Sequence, residues 1–207
     1  MKRLTSIACL AALALAAATA AAGATPASPV KDTSFRDQNG RRVQQLMLVV
    51  EATPGAVWKA LTTDEGFKTW AAPVAHIDLM TDGMIEASYH LSGKIGDYDN
   101  IRNQIVAYVP ERVLVFRNVH APKDAPPDFA LLPTIRTVIE ITDLGKGKTR
   151  IVQSGVGYGE GELYDALFQH FSAGNAYAFG LLAESLAGRP VDWQAQVSAA
   201  KASAGTR

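Results

Sequence analysis

Residues 49–89 read VVEATPGAVWKALTTDEGFKTWAAPVAHIDLMTDGMIEASY, and the order of structural signals in this stretch decides the fold. A strand-like run over 43–52 stops at Thr53-Pro54. Threonine before proline marks a helix start: the hydroxyl can accept from a free N–H, and the fixed φ of proline suits the first helical position. Val57, Trp58, Ala60 and Leu61 then share one side of a short helix. A second short helix is predicted over 64–70, with Asp64 and Glu65 in the first turn, where the helix dipole favours negative charge. Ala71-Ala72-Pro73 ends it. Strand-like runs at 75–79 and 84–90 follow, divided by Asp82-Gly83.

Upstream, 37–40 holds Asn39-Gly40, a pair that tolerates positive φ and predicts a turn between Phe35 and the run at 43. Downstream, β-rich runs at 101–109, 112–119, 134–144 and 149–156 are separated by turn residues. In one of them Ile135, Thr137, Ile139 and Ile141 alternate with Arg136 and Glu140, the period of a half-buried antiparallel strand. One long helix is predicted over 162–187. Leu163, Leu167, Phe171, Ala178 and Leu182 form its apolar stripe, with Glu162, Asp165, Gln169 and Glu184 opposite. Gly188 stops it and Arg189-Pro190 prevents continuation. These elements make an α+β plan: a curved antiparallel sheet of about six or seven strands wrapped on a long C-terminal helix, with two short helices after the first strand. A twisted sheet cannot touch a straight helix along its whole length. The gap is an expected apolar pocket.

The chain has 207 residues, 48% of them hydrophobic, with 20 basic and 20 acidic side chains. That suits one domain with a sizeable core. Zero formal charge argues against nucleic-acid binding, which needs a basic face to displace counterions. Residues 1–24 have a basic start at Lys2 and Arg3, an Ala/Leu run, and Ala22-Gly23-Ala24, the pattern of a secretory signal cleaved near Ala24. A membrane anchor would need a more apolar run, so no stable span is expected after cleavage. Cys9 sits too near the start for a lipoprotein box. It is the only cysteine, so cleavage would leave no disulfide and no thiol. The expected address is secreted or periplasmic. The expected organisation is a signal at 1–24, a linker and hairpin arm at 25–42, one domain at 43–193 and a tail at 194–207.

The stretch at 49–89 resembles a branch of the START and birch-pollen-allergen (SRPBCC) superfamily, the one named after the activator of the heat-shock-protein-ninety ATPase. The resemblance rests on Pro54, Val57-Trp58-Lys59-Ala60-Leu61-Thr62, Trp70 and Gly83, and on Tyr108-Val109-Pro110-Glu111 before the fifth strand. One departure is Thr81-Asp82-Gly83, where the branch commonly has two glycines. The resemblance implies the helix-grip fold and a cavity for small, largely apolar molecules, with no cofactor. It does not fix a reaction, because fold alone never does. A chaperone role is not expected of an exported protein, which would meet no cytosolic chaperone ATPase. The expected function is binding of a small hydrophobic ligand; the alternative is a polyketide cyclase/dehydratase-like or hydrolase-like enzyme using the same cavity.

Candidate ligand-binding residues are Trp70, Tyr89, Phe116, His170, Phe171, Gly174, Asn175 and Tyr177. Trp70, Tyr89, Phe116 and Tyr177 are possible aromatic walls, although such residues also serve as plain core. His170 sits at the stripe's edge beside Phe171, as a structural imidazole or as an acid–base group in the alternative enzyme. Asn175 falls inside the apolar arc and must find a partner, either backbone of the short helices or a ligand. Gly174, with Gly180, thins the helix, either for close approach of another element or to leave room for a guest. His76, His90, His120 and His170 lack ligand spacing, so no metal is expected. Glu86, Arg102, Arg117, Arg136 and Glu140 default to the solvated face of the sheet. The Pro-rich loop at 120–133 is read as a lid or a partner contact, and the glycine-rich 155–161 as a flexible hinge.

Overall fold

The computed structural model describes residues 29–122 and 125–204. The signal-like segment 1–24 and the linker up to residue 28 lie outside the described residues. Strands β1 (Val30–Asp32), β2 (Phe35–Arg36) and β3 (Arg42–Val50) precede helices α1 (Pro54–Thr62) and α2 (Asp64–Lys68). Strands β4 (Val74–Ile77), β5 (Met84–Ser88), β6 (Ile101–Val109) and β7 (Val113–His120) follow. A 3-10 helix at Pro127–Thr134 leads into β8 (Arg136–Gly145) and β9 (Lys148–Val156), then α3 (Glu162–Leu186) and α4 (Trp193–Ala204). The sheet is antiparallel throughout, in the order β1-β3-β9-β8-β7-β6-β5-β4, with β2 on β3. This is the α+β helix-grip fold.

The local signals act as expected. Thr53 Oγ1 accepts from the Ala56 N–H, and Pro54 opens α1. Thr63 Oγ1 caps α2 by accepting from the Gly66 N–H. Asp82 takes a left-handed φ of 64°, so a single aspartate supplies the conformation for which the branch commonly uses glycine. Val50, Leu48, Leu46 and Gln44 of β3 face inward, and β9 answers them with Thr149, Ile151, Gln153 and Gly155. Leu46, Leu48, Ile151, Phe179 and Leu182 are buried in one cluster with Val57 and Leu61 of α1. Each such side chain contributes about 1.5–3 kcal/mol through burial.

Four sequence expectations need correction. The sheet has nine strands among the described residues rather than six or seven, because Val30–Asp32, read as linker, pairs with Leu46–Leu48 of β3 and β2 adds a short hairpin. Strands of two or three residues are too short to show a period. The segment read as a tail forms α4, whose start is tied down by Trp193 Nε1 donating to Lys68 O at 2.6 Å. Leu163, placed on the apolar stripe, is 51% exposed in the first turn of α3, beside exposed Glu162. The Pro-rich loop, read as a lid or a partner contact, is tied inward over its second half rather than standing free: Leu132 is buried, and Phe129 and Leu131 pack with Ile135, Tyr158 and Leu167. No helix among the described residues is long and apolar enough to cross a membrane.

Candidate functional site

The core is solid beneath the last turns of α3 and hollow beneath its middle. A cavity of about 200 Å3 lies there, between sheet and helix. Its floor follows cross-strand neighbours: Gln44 of β3 pairs with Gly155 of β9, which pairs with Thr137 of β8, which pairs with Phe116 of β7. A second row, Gln153, Ile139 and Leu114, runs beside it. Phe171, Asn175, Ala178 and Phe179 of α3 make the roof. Phe67 and Trp70 close one side, and Leu132, Ile135 and Tyr158 close the other. Tyr89 lines the cavity while 44% exposed, which puts it at the mouth.

Each wall is held from behind. Trp70 Nε1 donates to Ala60 O at 2.9 Å, and its ring meets Phe67 edge-on at 5.3 Å. Tyr158 packs edge-on against Phe168 at 5.0 Å. Arg42 lies over the Phe168 ring, 5.4 Å from its centre, donates to Gly159 O at 2.7 Å, and forms an ion pair with Asp165. The guanidinium is therefore engaged outside the cavity. Burial pushes the Tyr158 hydroxyl up to about 12, against a smaller opposing pull from Arg42. Tyr89 is 44% exposed as a whole residue, yet burial of its hydroxyl end raises that group too. Both phenols stay neutral near pH 7.

Of the eight candidate residues, five line this space: Trp70, Tyr89, Phe116, Phe171 and Asn175. Three do not. The His170 ring stacks edge-on against Phe129 at 4.9 Å and Phe171 at 5.4 Å, outside the lining. Its position on α3 is one step round from Phe171, and 100° of rotation takes it off the inward face. Tyr177 is 43% exposed, and its hydroxyl accepts from Gln196 Nε2 of α4 at 2.8 Å. A β-carbon added at Gly174 or Gly180 would meet no atom within 4 Å, so no close approach explains either glycine.

Asn175 does not meet the backbone of the short helices; its Nδ2 donates to Gln44 Oε1 at 3.4 Å. Gln44, Gln153 and Tyr158 were missed as lining residues. Gln44 was legible, because it shares its parity on β3 with Leu46 and Leu48. Tyr158 was hidden in the glycine-rich stretch read as a hinge, where it is 5% exposed and packed.

None of the strand charges lines the cavity. Glu86 accepts from Gly96 N at 2.7 Å, Asn100 Nδ2 at 2.6 Å and Arg102 at 3.4 Å. Arg117 donates to Gln104, and Arg136 to Pro133 O. Tyr89 and Tyr158 are thus the only ionisable residues among the lining side chains. No cluster of three or more metal-ligating side chains occurs among the described residues.

Residues 51–187, two thirds of the chain, match the family described as Activator of Hsp90 ATPase homolog 1-like protein. The chain belongs to that family. The Activator of Hsp90 ATPase homolog 1-like match begins just after β3 and ends with α3, so it takes in most of the walls but neither Gln44 nor α4. Solved structures agree on the fold. The Aha1 dimer from Colwellia psychrerythraea is 14% identical with a TM-score of 0.53, over 70% of this chain and 95% of that one. CalU16 from Micromonospora echinospora is 15% identical with a TM-score of 0.53, over 85% and 97%. A protein from Arthrobacter aurescens reaches a TM-score of 0.57 at 14% identity, over 78% and 94%. No curated protein matches this sequence. At these identities the likeness is one of fold, which leaves the chemistry to the site.

Proposed function

We propose that this protein is an exported binder of a small, largely apolar molecule, held in the cavity between sheet and α3. The single observation that carries the reading is a hollow of about 200 Å3 with mainly apolar walls inside an otherwise packed core. Protein interiors are close-packed, and a void of this kind forfeits dispersion contacts unless something fills it. An apolar cavity of roughly 150 Å3 is large enough to hold benzene. The space here suits one aromatic ring with a short substituent. The signal-like start at residues 1–24 supports an exported address. Binding is favoured over an acid–base enzyme because the walls offer two neutral phenols and no carboxylate, imidazole or amine.

Titration with toluene followed by proton NMR tests the reading. Saturable one-to-one binding that shifts the Trp70 and Phe116 ring signals is expected. A protein showing no saturable shift with toluene, and recovered empty from its host by native mass spectrometry, would end the proposal. The mass of protein from the host's outer fractions checks the address: removal of about the first 24 residues is expected.

A further inference from the structure

Polar side chains line the cavity at Asn103 and Asn118 as well as around Gln44, and only at Gln44 is a fully buried donor left over. Gln44 is fully buried, and its Nε2 has no hydrogen-bond partner among the described residues, although its Oε1 accepts from Asn175. A buried donor left unpaired is rare and costly in native proteins, and calls for an explanation. The Tyr158 hydroxyl likewise makes no hydrogen bond among the described residues, although the residue is 5% exposed. Both flank Gly155. A β-carbon there would stand 3.2 Å from Gln44 Oε1 and 3.3 Å from Tyr158 Oη, so the missing side chain keeps open the space between them. Gln44, Gly155, Tyr158 and Asn175 all line the same hollow. The rest of the core shows that this is not general slackness, since Thr149 on the same inward row of β9 donates to Ala52 O at 2.6 Å.

We infer that the ligand carries an uncharged hydrogen-bond acceptor, a carbonyl-type oxygen attached to its ring, which docks between Gln44 and Tyr158 and accepts from Gln44 Nε2 and the Tyr158 hydroxyl. The acceptor is uncharged because no cation lines the cavity. Arg42 is not among the lining residues; it pairs with Asp165 and donates to Gly159 O, and its Nε alone is without a partner among the described residues. An anion here would be desolvated without a counter-charge. The apolar walls then hold the ring, with Phe116 and Phe171 on opposite sides of the space. This inference rests on the binding reading above and narrows it to aryl ketones, aldehydes, lactones and similar neutral carbonyl compounds.

Calorimetric titration with three probes of similar size tests it: acetophenone, its methylidene isostere α-methylstyrene, and benzoate. Acetophenone is expected to bind about tenfold more tightly than α-methylstyrene, the ratio that one to two net hydrogen bonds give. Benzoate is expected to bind most weakly. Gln44→Met and Tyr158→Phe should each shrink the ratio of acetophenone to α-methylstyrene affinity. An unchanged thermal unfolding midpoint reports that the variants fold. Equal binding of the two neutral probes to the parent protein, a preference that survives both substitutions, or benzoate binding tightest would each overturn the acceptor site while leaving the binding reading in place. Binding of none of the three overturns both.

Discussion

Two residues of one strand, four positions apart, live in different worlds. Leu48 of β3 is fully buried in a cluster with Ile151, Phe179 and Leu182. Gln44, on the same face of the same strand, is equally buried, yet it borders a hollow and has a free donor. The difference lies above the sheet rather than in it. Over Leu48, α1 and the last turns of α3 bring Val57 and Leu182 down onto the strands. Over Gln44, the roof is Asn175, Ala178 and the edges of Phe171 and Phe179, with small or polar groups where large aliphatic ones would close the gap. The pair teaches that burial and packing are separate properties. One end of this core stabilises the fold; the other tolerates a void.

The largest break in that comparison should come from Leu48→Ala. In the packed half it should cost about 2–5 kcal/mol by denaturant unfolding, since the cavity created has no room to relax. Ala178→Leu in the hollow half should change stability by less than about 1 kcal/mol, where the same enlargement in a full core costs about 1–3 kcal/mol. It should also abolish toluene binding. If Ala178→Leu proved as damaging as Leu48→Ala, the two halves would not differ as described.

Gly174→Ala sharpens the contrast at smaller magnitude. No atom lies within 4 Å of the added β-carbon, so only helix propensity acts. Stabilisation of about 0.5–1 kcal/mol is expected by thermal unfolding. A loss of stability would mean that the glycine answers a close approach after all.

The smallest effect concerns how the helix carrying the Phe67 wall is fastened to the sheet. Asp64 accepts from the Ile77 N–H at 2.7 Å and pairs with His76 Nδ1 at 3.0 Å. The hydrogen bond to Asp64 and its charge raise His76 above its ordinary 6.5. Burial pulls Asp64 upward, but the bonds from His76 and Ile77 outweigh it and hold the carboxyl below its ordinary 3.8. The pair's contribution is therefore complete between these two ordinary values. It fades as pH rises above 6.5 through the raised His76 value, and again as pH falls below 3.8 through the lowered Asp64 value. The His76 side chain is 56% exposed, so the amplitude should be a few tenths of a kcal/mol. In a His76→Gln variant the loss above pH 6.5 should vanish from a plot of unfolding free energy against pH. Persistence of the same slope would assign it to another group.

Much of this was legible in advance, for reasons that differ by element. Thr53-Pro54 and Gly188 act within one helical turn, so these helix boundaries follow from chemistry confined to a few neighbouring residues. Trp70, Phe171 and Asn175 were placed by the order of elements and the 3.6-residue period. His170 and Tyr177 were misplaced because an apolar arc has soft edges, and the packing of Phe129 and α4 decides which edge residues turn inward. β1 and α4 escaped because both depend on partners far along the chain, Leu46–Leu48 for one and Lys68 for the other.

The amino-acid sequence by itself determined the alternation of the strands, the caps, the long helix and the side of β3 on which Gln44 stands, because each depends on neighbours within a few residues. Only the tertiary structure decided that Gln44, Gly155, Tyr158 and Asn175 meet and that space remains between them. The reason is geometric. A hollow is the distance left between a curved sheet and a straight helix after every side chain has been placed, and that distance belongs to no single segment.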